Sequence, residues 1–172
     1  MAHFKNQRGH DPKKQETILR EGSHLKFLPT SSKDLEARGW EACDIILVTG
    51  DAYVDHPAYG TALIGRVLES AGYKVGVITQ PDWRTGHDFL KLGRPRLFFG
   101  ISSGNLDSMV ANYTASKKPR RNDEYSPGGR GGLRPNRATI VYTSKIKGLF
   151  PVVPVVIGGI EASLVVLCIT II

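Results

Sequence analysis

Asp51, Asp55 and His56 stand close together in the segment "GDAYVDHPAYG" (50–60). Carboxylate and imidazole are ordinary ligands of divalent metals. A metal would need Asp55 and His56 to aim at one centre, which adjacent residues of an extended chain do not easily do. His56 precedes Pro57, and a residue before proline is held extended. Pro57 in turn suits a first helical turn. The competing reading is architectural: Asp51 and Asp55 cap the next helix and accept loop N–H groups. Gly50 and Gly60 flank the segment, but the chain has no G-x-G-x-x-G or Walker sequence, so dinucleotide or ATP binding of those kinds lacks its phosphate cradle. A hydrolase nucleophile is not expected among Ser102, Ser103 and Ser108. Gly158-Gly159 either lets a ligand approach the backbone or forms a turn.

These residues need elements to position them. "CDIILVTG" (43–50) is a short apolar run closed by glycine, the pattern of a buried strand in a parallel sheet. Over 58–71, Leu63, Ile64, Val67, Leu68 and Ala71 recur at three- and four-residue spacing and predict a helix with one apolar face, ended by Gly72. "KVGVIT" (74–79) is the next strand, completing a βαβ unit. "SSKDLEARGW" (31–40) reads as a short helix with Ser32 at its N-cap and Gly39 at its stop. "RLFFGIS" (96–102) is a third strand and 103–114 a short helix. "ATIVYTS" (138–144) reads as a fourth strand, "KIKGLF" as a helical turn and "VPVVIGG" (153–159) as a fifth strand. Strands alternating with helices predict an α/β fold with a mainly parallel sheet.

In such a sheet, ligands bind beyond the carboxyl ends of the strands, where the strand order reverses. The polar groups and glycines expected on that rim are Gly50, Asp51, Tyr53, Asp55, His56, Gly104, Asn105, Asp107 and Glu161. They would face a small-molecule ligand or a neighbouring domain.

The chain has 172 residues, 41% hydrophobic and 23% charged, which fits one globular domain. Its formal charge of +7 permits an anionic partner and says nothing of fold. Much of that charge lies in the loop 115–137, which carries Lys117, Lys118, Arg120, Arg121, Arg130, Arg134 and Arg137 against Asp123 and Glu124. The loop either meets nucleic-acid phosphates, lies over the sheet or contacts another domain, or is a solvated surface. Residues 1–24 are polar and basic, the composition of a flexible arm, and show no secretory signal. Cys43 and Cys168 are the only cysteines and form no C-x-x-C. Both sit near apolar neighbours as core residues, and their scarcity suits a reducing, cytoplasmic setting. From Leu149 to Ile172 the single charge is Glu161. Prolines and glycines interrupt that stretch, so a membrane span is not expected. The last residues, 165–172, read as an apolar tail.

The strings "GWEACDIILVTGDAYVDHPAYGTALIGRVLESAGYKVGVITQPDW", "LGRPRLFFGISSGNLDSMVANYTASKKPRRNDEYSPGG", "RPNRATIVYT" and "VPVVIGGIEASL" resemble the N-terminal region of YgiQ-type radical SAM proteins, over about 27–164. "HPAYGTALIGRVLESAGYKVGVI" also resembles the start of cobalamin-binding-like domains. The corrinoid-ligating D-x-H-x-x-G pattern is not met: the order here is Asp55-His56-Pro57-Ala58-Tyr59-Gly60, so His56 is not placed as a usual lower ligand. The resemblance implies a flavodoxin-like or cobalamin-binding-like α/β domain at 25–164, with its sheet incomplete at the C-terminus. It also implies a longer enzyme whose C-x-x-x-C-x-x-C motif holds a [4Fe–4S] cluster that cleaves S-adenosylmethionine. No such motif occurs in this chain. The expectation is therefore an N-terminal fragment that has no cofactor of its own, is inactive alone, and has a catalytic barrel as its missing partner. The rival expectation is a basic RNA-binding module using loop 115–137.

Overall fold

A computed structural model describes residues 27–164. The expectations for the basic arm 1–24 and the apolar tail 165–172 lie outside the described residues. Helix α1 (Ser32–Ala37) opens the described chain. Its N-cap is Ser31 rather than Ser32, because Ser31 and Asp34 form a reciprocal capping box that satisfies two end groups at once. Strand β1 (Ile45–Thr49) follows, then α2 (Gly60–Ser70) and β2 (Val75–Thr79). A 3₁₀ turn at His87–Leu90 precedes β3 (Phe98–Ser102) and α3 (Ser108–Asn112). After a second 3₁₀ turn at Pro127–Gly129 come α4 (Ala138–Leu149) and β4 (Val155–Ile157). A further helix begins at 160.

The strands form one parallel sheet in the order β2-β1-β3-β4, an α/β architecture with flanking helices as expected. All five residues of β1 are buried, since the strand is covered on both faces. The crossover from β1 steps one way and that from β3 steps the other. Right-handed connections then place α2 and α4 on opposite faces, and the core divides accordingly. On one face Ile46, Val48, Phe99 and Ile101 pack with Ala138, Tyr142 and Ile146 of α4. On the other, Leu28, Ile45, Leu47, Val75 and Val77 pack with Leu68 of α2.

Two expectations are corrected. Residues 138–144 are the first half of helix α4, not a strand, so the fifth expected strand is the fourth. The apolar face of α2 is only partly its buried face: Leu68 packs on the sheet, but most of that face does not. Ala62 and Gly65 are buried, with Gly65 so close to Leu28 that a Cβ would collide with it. Leu63, Ile64 and Val67 are exposed. Among the described residues, no helix is long and apolar enough to cross a membrane.

Candidate functional site

The order β2-β1-β3 reverses direction between β1 and β3, which makes the carboxyl ends of those strands the expected crevice. Here the protein fills that crevice itself. Gly50 ends β1 against the Ser103 carbonyl and the Arg134 side chain, where a Cβ has no room. Arg134, on the long loop, is 2% exposed. Its guanidinium donates to the Ser103 carbonyl at 2.8 Å and lies 2.9 Å from Asp51 and 3.1 Å from Asp123. Asp51 also accepts the Asn105 N–H at 2.6 Å. Gly104 turns at φ 112° directly over the Asp51 carboxyl, leaving no space for a side chain. Burial pushes the Asp51 carboxyl up, against the opposing pull of the Asn105 N–H and Arg134.

The loop 115–137 reaches this position by lying across the strand ends. The Tyr125 carbonyl accepts the Ala52 N–H, and the Gln80 amide, whose residue sits at φ 38°, donates to Gly50 O and Ser126 Oγ. Bridges at Tyr113–Pro119 and Asn122–Arg130 fold the loop onto itself. Arg134 is therefore withdrawn from the basic surface set. Lys117, Lys118, Arg120, Arg121, Arg130 and Arg137 stay exposed, with Arg120 Nε donating to the Val110 and Tyr113 carbonyls.

The remaining rim residues are held by their own neighbours. Asp107 caps α3 by accepting from the Met109 and Val110 N–H groups. Glu161 is buried and accepts from the Ser108 and Thr139 N–H groups, each at 2.9 Å, so it caps α4 from a distance. Asp55 pairs with Arg66 of α2. His56 Nδ1 accepts the Ala58 N–H, and Tyr53 Oη accepts the Leu28 N–H. Asp51 and Asp55 were expected to cap α2, yet its N-cap is Tyr59 with no side-chain bond. Gly50, Asp51, Gly104 and Asn105 converge, and Tyr53 lines a small pocket beside Asp51 and Asn105; Asp55 and His56 are held by Arg66 and the Ala58 N–H instead. Sequence reasoning passed over Asp123 as a solvated counter-charge, and nothing in its spacing pointed to Arg134.

Three thiolates are the ordinary protein ligands of a cluster of the S-adenosylmethionine-cleaving type. Cys43 is a buried core thiol, pushed up to about 11 chiefly by burial, which disfavours the thiolate a metal needs. Among the described residues no group of three His, Cys, Asp or Glu is placed to hold a metal ion. The described residues of this chain do not fit an iron–sulfur cluster.

What stays open is a groove of about 310 Å³ on the α2 face of the sheet. Its floor includes Leu47, Phe98 and Gly100, Ile64 and Leu68 form one wall, and Val156 stands on the other side. Gly104, Asn105, Gly158 and Gly159 rim its upper end, beside the start of α2 at Gly60. The lining is mostly apolar with no ionisable side chain, so its chemistry is that of packing rather than proton transfer.

Comparison with known proteins matches the sequence to a family. The radical SAM N-terminal family profile covers residues 27–168. The UPF0313 protein of Thermotoga petrophila is 67% identical over 138 residues, 80% of this chain and 24% of the relative. That of Methanosarcina acetivorans is 63% identical over 139 residues, 81% of this chain and 19% of the relative. The UPF0313 protein of Pseudomonas aeruginosa is 57% identical over 138 residues, 80% of this chain and 18% of the relative. The matched segment thus spans about a quarter or less of these relatives. No solved structure matches. The chain belongs to the radical SAM N-terminal family.

Proposed function

We propose that this chain is the N-terminal α/β domain of a radical SAM iron–sulfur enzyme of the reducing cytoplasm, and that the [4Fe–4S] cluster and S-adenosylmethionine are held by polypeptide outside it. One observation carries the reading: a radical SAM N-terminal profile covering 27–168, in a chain whose described thiol is a buried core residue. Bound together, such a cluster and S-adenosylmethionine supply radical chemistry. The residues here supply a scaffold. Arg134, Asp51 and Asp123 lock the strand ends, and the α2 face offers an apolar surface to the rest of the protein.

The test is anaerobic reconstitution with iron and sulfide, run on this chain and on the Thermotoga petrophila relative. The relative should take up a cluster and cleave S-adenosylmethionine, whereas this chain should hold no stoichiometric iron. A cluster on this chain, or none on the relative, would overturn the assignment.

A further inference from the structure

Burial on the α2 face stops halfway across the sheet. Val77, Leu47, Gly100 and Val156 lie in one register row, and such partners in a parallel sheet point to the same side. Along that row Val77 is 0% exposed, Leu47 7% and Val156 53%. Helix α2 covers β2 and β1 through Ala62, Gly65 and Leu68 and leaves Ile64 standing 53% exposed beside the uncovered half. An all-parallel sheet is ordinarily covered on both faces. Among the described residues, strand β4 is also paired on one side only, and an apolar strand with a free edge is a template for another strand. The bare face and the bare edge meet at the same corner.

The described turn at 160–164 does not cover this groove. Glu161 ties it to the first turns of α3 and α4, and α4 packs on the opposite face. Further polypeptide is available, since the matched residues are 24% of the Thermotoga petrophila relative. We propose that the groove and the β4 edge form an intramolecular docking surface for the polypeptide that follows residue 164 in the longer family proteins. That polypeptide adds a fifth parallel strand to β4 and lays the apolar side of a helix in the groove between Ile64 and Val156. The inference rests on the domain assignment above. The direction of the β3-to-β4 step, continued by a right-handed crossover, delivers the next strand to that edge.

Hydroxyl-radical footprinting tests it on this chain and on a protein in which residues 1–164 continue into the remainder of the Thermotoga petrophila relative. The expected result is rapid oxidation of Ile64, Phe98 and Val156 in this chain and a several-fold fall, towards the level of Val77, in the joined protein. Met109, exposed on α3, should react equally in both. Equal reaction of Ile64 and Val156 in the two proteins overturns the proposal. So does protection of Ile64 and Val156 in this chain at high dilution, where copies no longer meet, since its own residues would then cover the groove. As an independent reading, Ile64→Asp with Val156→Asp should leave the melting midpoint of this chain unchanged and lower that of the joined protein; an equal effect in both overturns the proposal. Iron content separates the two claims. A joined protein that holds its cluster while Ile64 and Val156 stay reactive sinks the docking surface alone.

Discussion

Arg134 illustrates how a residue's surroundings decide its role. In the sequence it is one of seven cations in a long basic loop, and a solvated or phosphate-binding role follows naturally. In the structure it is sealed between Asp51, Asp123 and the Ser103 carbonyl. Breaking a buried ion pair leaves uncompensated charge, at a cost of about 3–5 kcal/mol. Arg134→Met should lower stability by about that much at neutral pH, read from urea unfolding. The loss should shrink as acid protonates the two stranded carboxylates. Adding Asp51→Asn and Asp123→Asn should recover part of it, whereas an Arg134→Met protein as stable as the parent would mean that the cation is solvated. Asp51 carries a separate pH signature. Its folded carboxyl is raised above the ordinary 3.8, first by burial. A group that holds its proton more tightly when folded stabilises fully below the unfolded value, and that contribution is lost as pH rises through the folded value. Asp51→Asn cannot lose a proton. Its stability relative to the parent should therefore climb with pH from about 4 upward. Parallel stability curves for the two proteins would place Asp51 at the ordinary value.

At the scale of elements, β1, α2, β2 and β3 were legible because their signals are local: short apolar runs, the first closed by Gly50, and a three-to-four spacing between the first two. Helix α4 was not. "ATIVYTS" is rich in β-branched residues, which favour strands, and its true period shows only in the buried set Ala138, Thr139, Tyr142 and Ile146. Topology decides the matter. Parallel neighbours need a crossover of about a dozen residues or more, and a strand over 138–144 would leave only residues 145–154 before β4, somewhat short of that. Tertiary context also supplies the start that α4 lacks locally: Arg137, its N-cap, makes no side-chain bond, while Ser108 Oγ and Glu161 accept from Ala138 and Thr139. Hydrogen bonds to charged groups are worth about 1.5–3 kcal/mol each, and Glu161 makes two. Glu161→Ala should cost about 3 kcal/mol in urea unfolding, and Glu161→Gln, which keeps one acceptor oxygen, roughly half of that. Amide exchange should quicken first at the starts of α3 and α4. Uniform exchange across the protein would mean that Glu161 supports the fold generally rather than those two helix starts.

For the molecule as a whole, the periodic apolar face of α2 was read correctly as a face and assigned to the wrong partner. A period reports that one side of a helix is apolar. It does not report whether the covering surface lies in the same stretch of chain. Here the sheet takes Ala62, Gly65 and Leu68, while Leu63, Ile64 and Val67 are exposed and Ile64 shares an uncovered groove with Val156. Contiguous apolar patches on soluble proteins mark interaction sites or association liabilities, and a formal charge of +7 opposes association only weakly once salt screens it. This chain should therefore associate as its concentration rises, more strongly in high salt, by sedimentation velocity. Ile64→Lys with Val156→Lys should abolish that association, and because both side chains already face water it should change unfolding stability by no more than about 0.5 kcal/mol. The two readouts discriminate between arrangements. Loss of association with stability kept assigns the patch to the outside of a finished core. A large loss of stability in a chain that was monomeric throughout would instead mean that Ile64 and Val156 are buried within this chain, leaving no surface for the longer protein to cover.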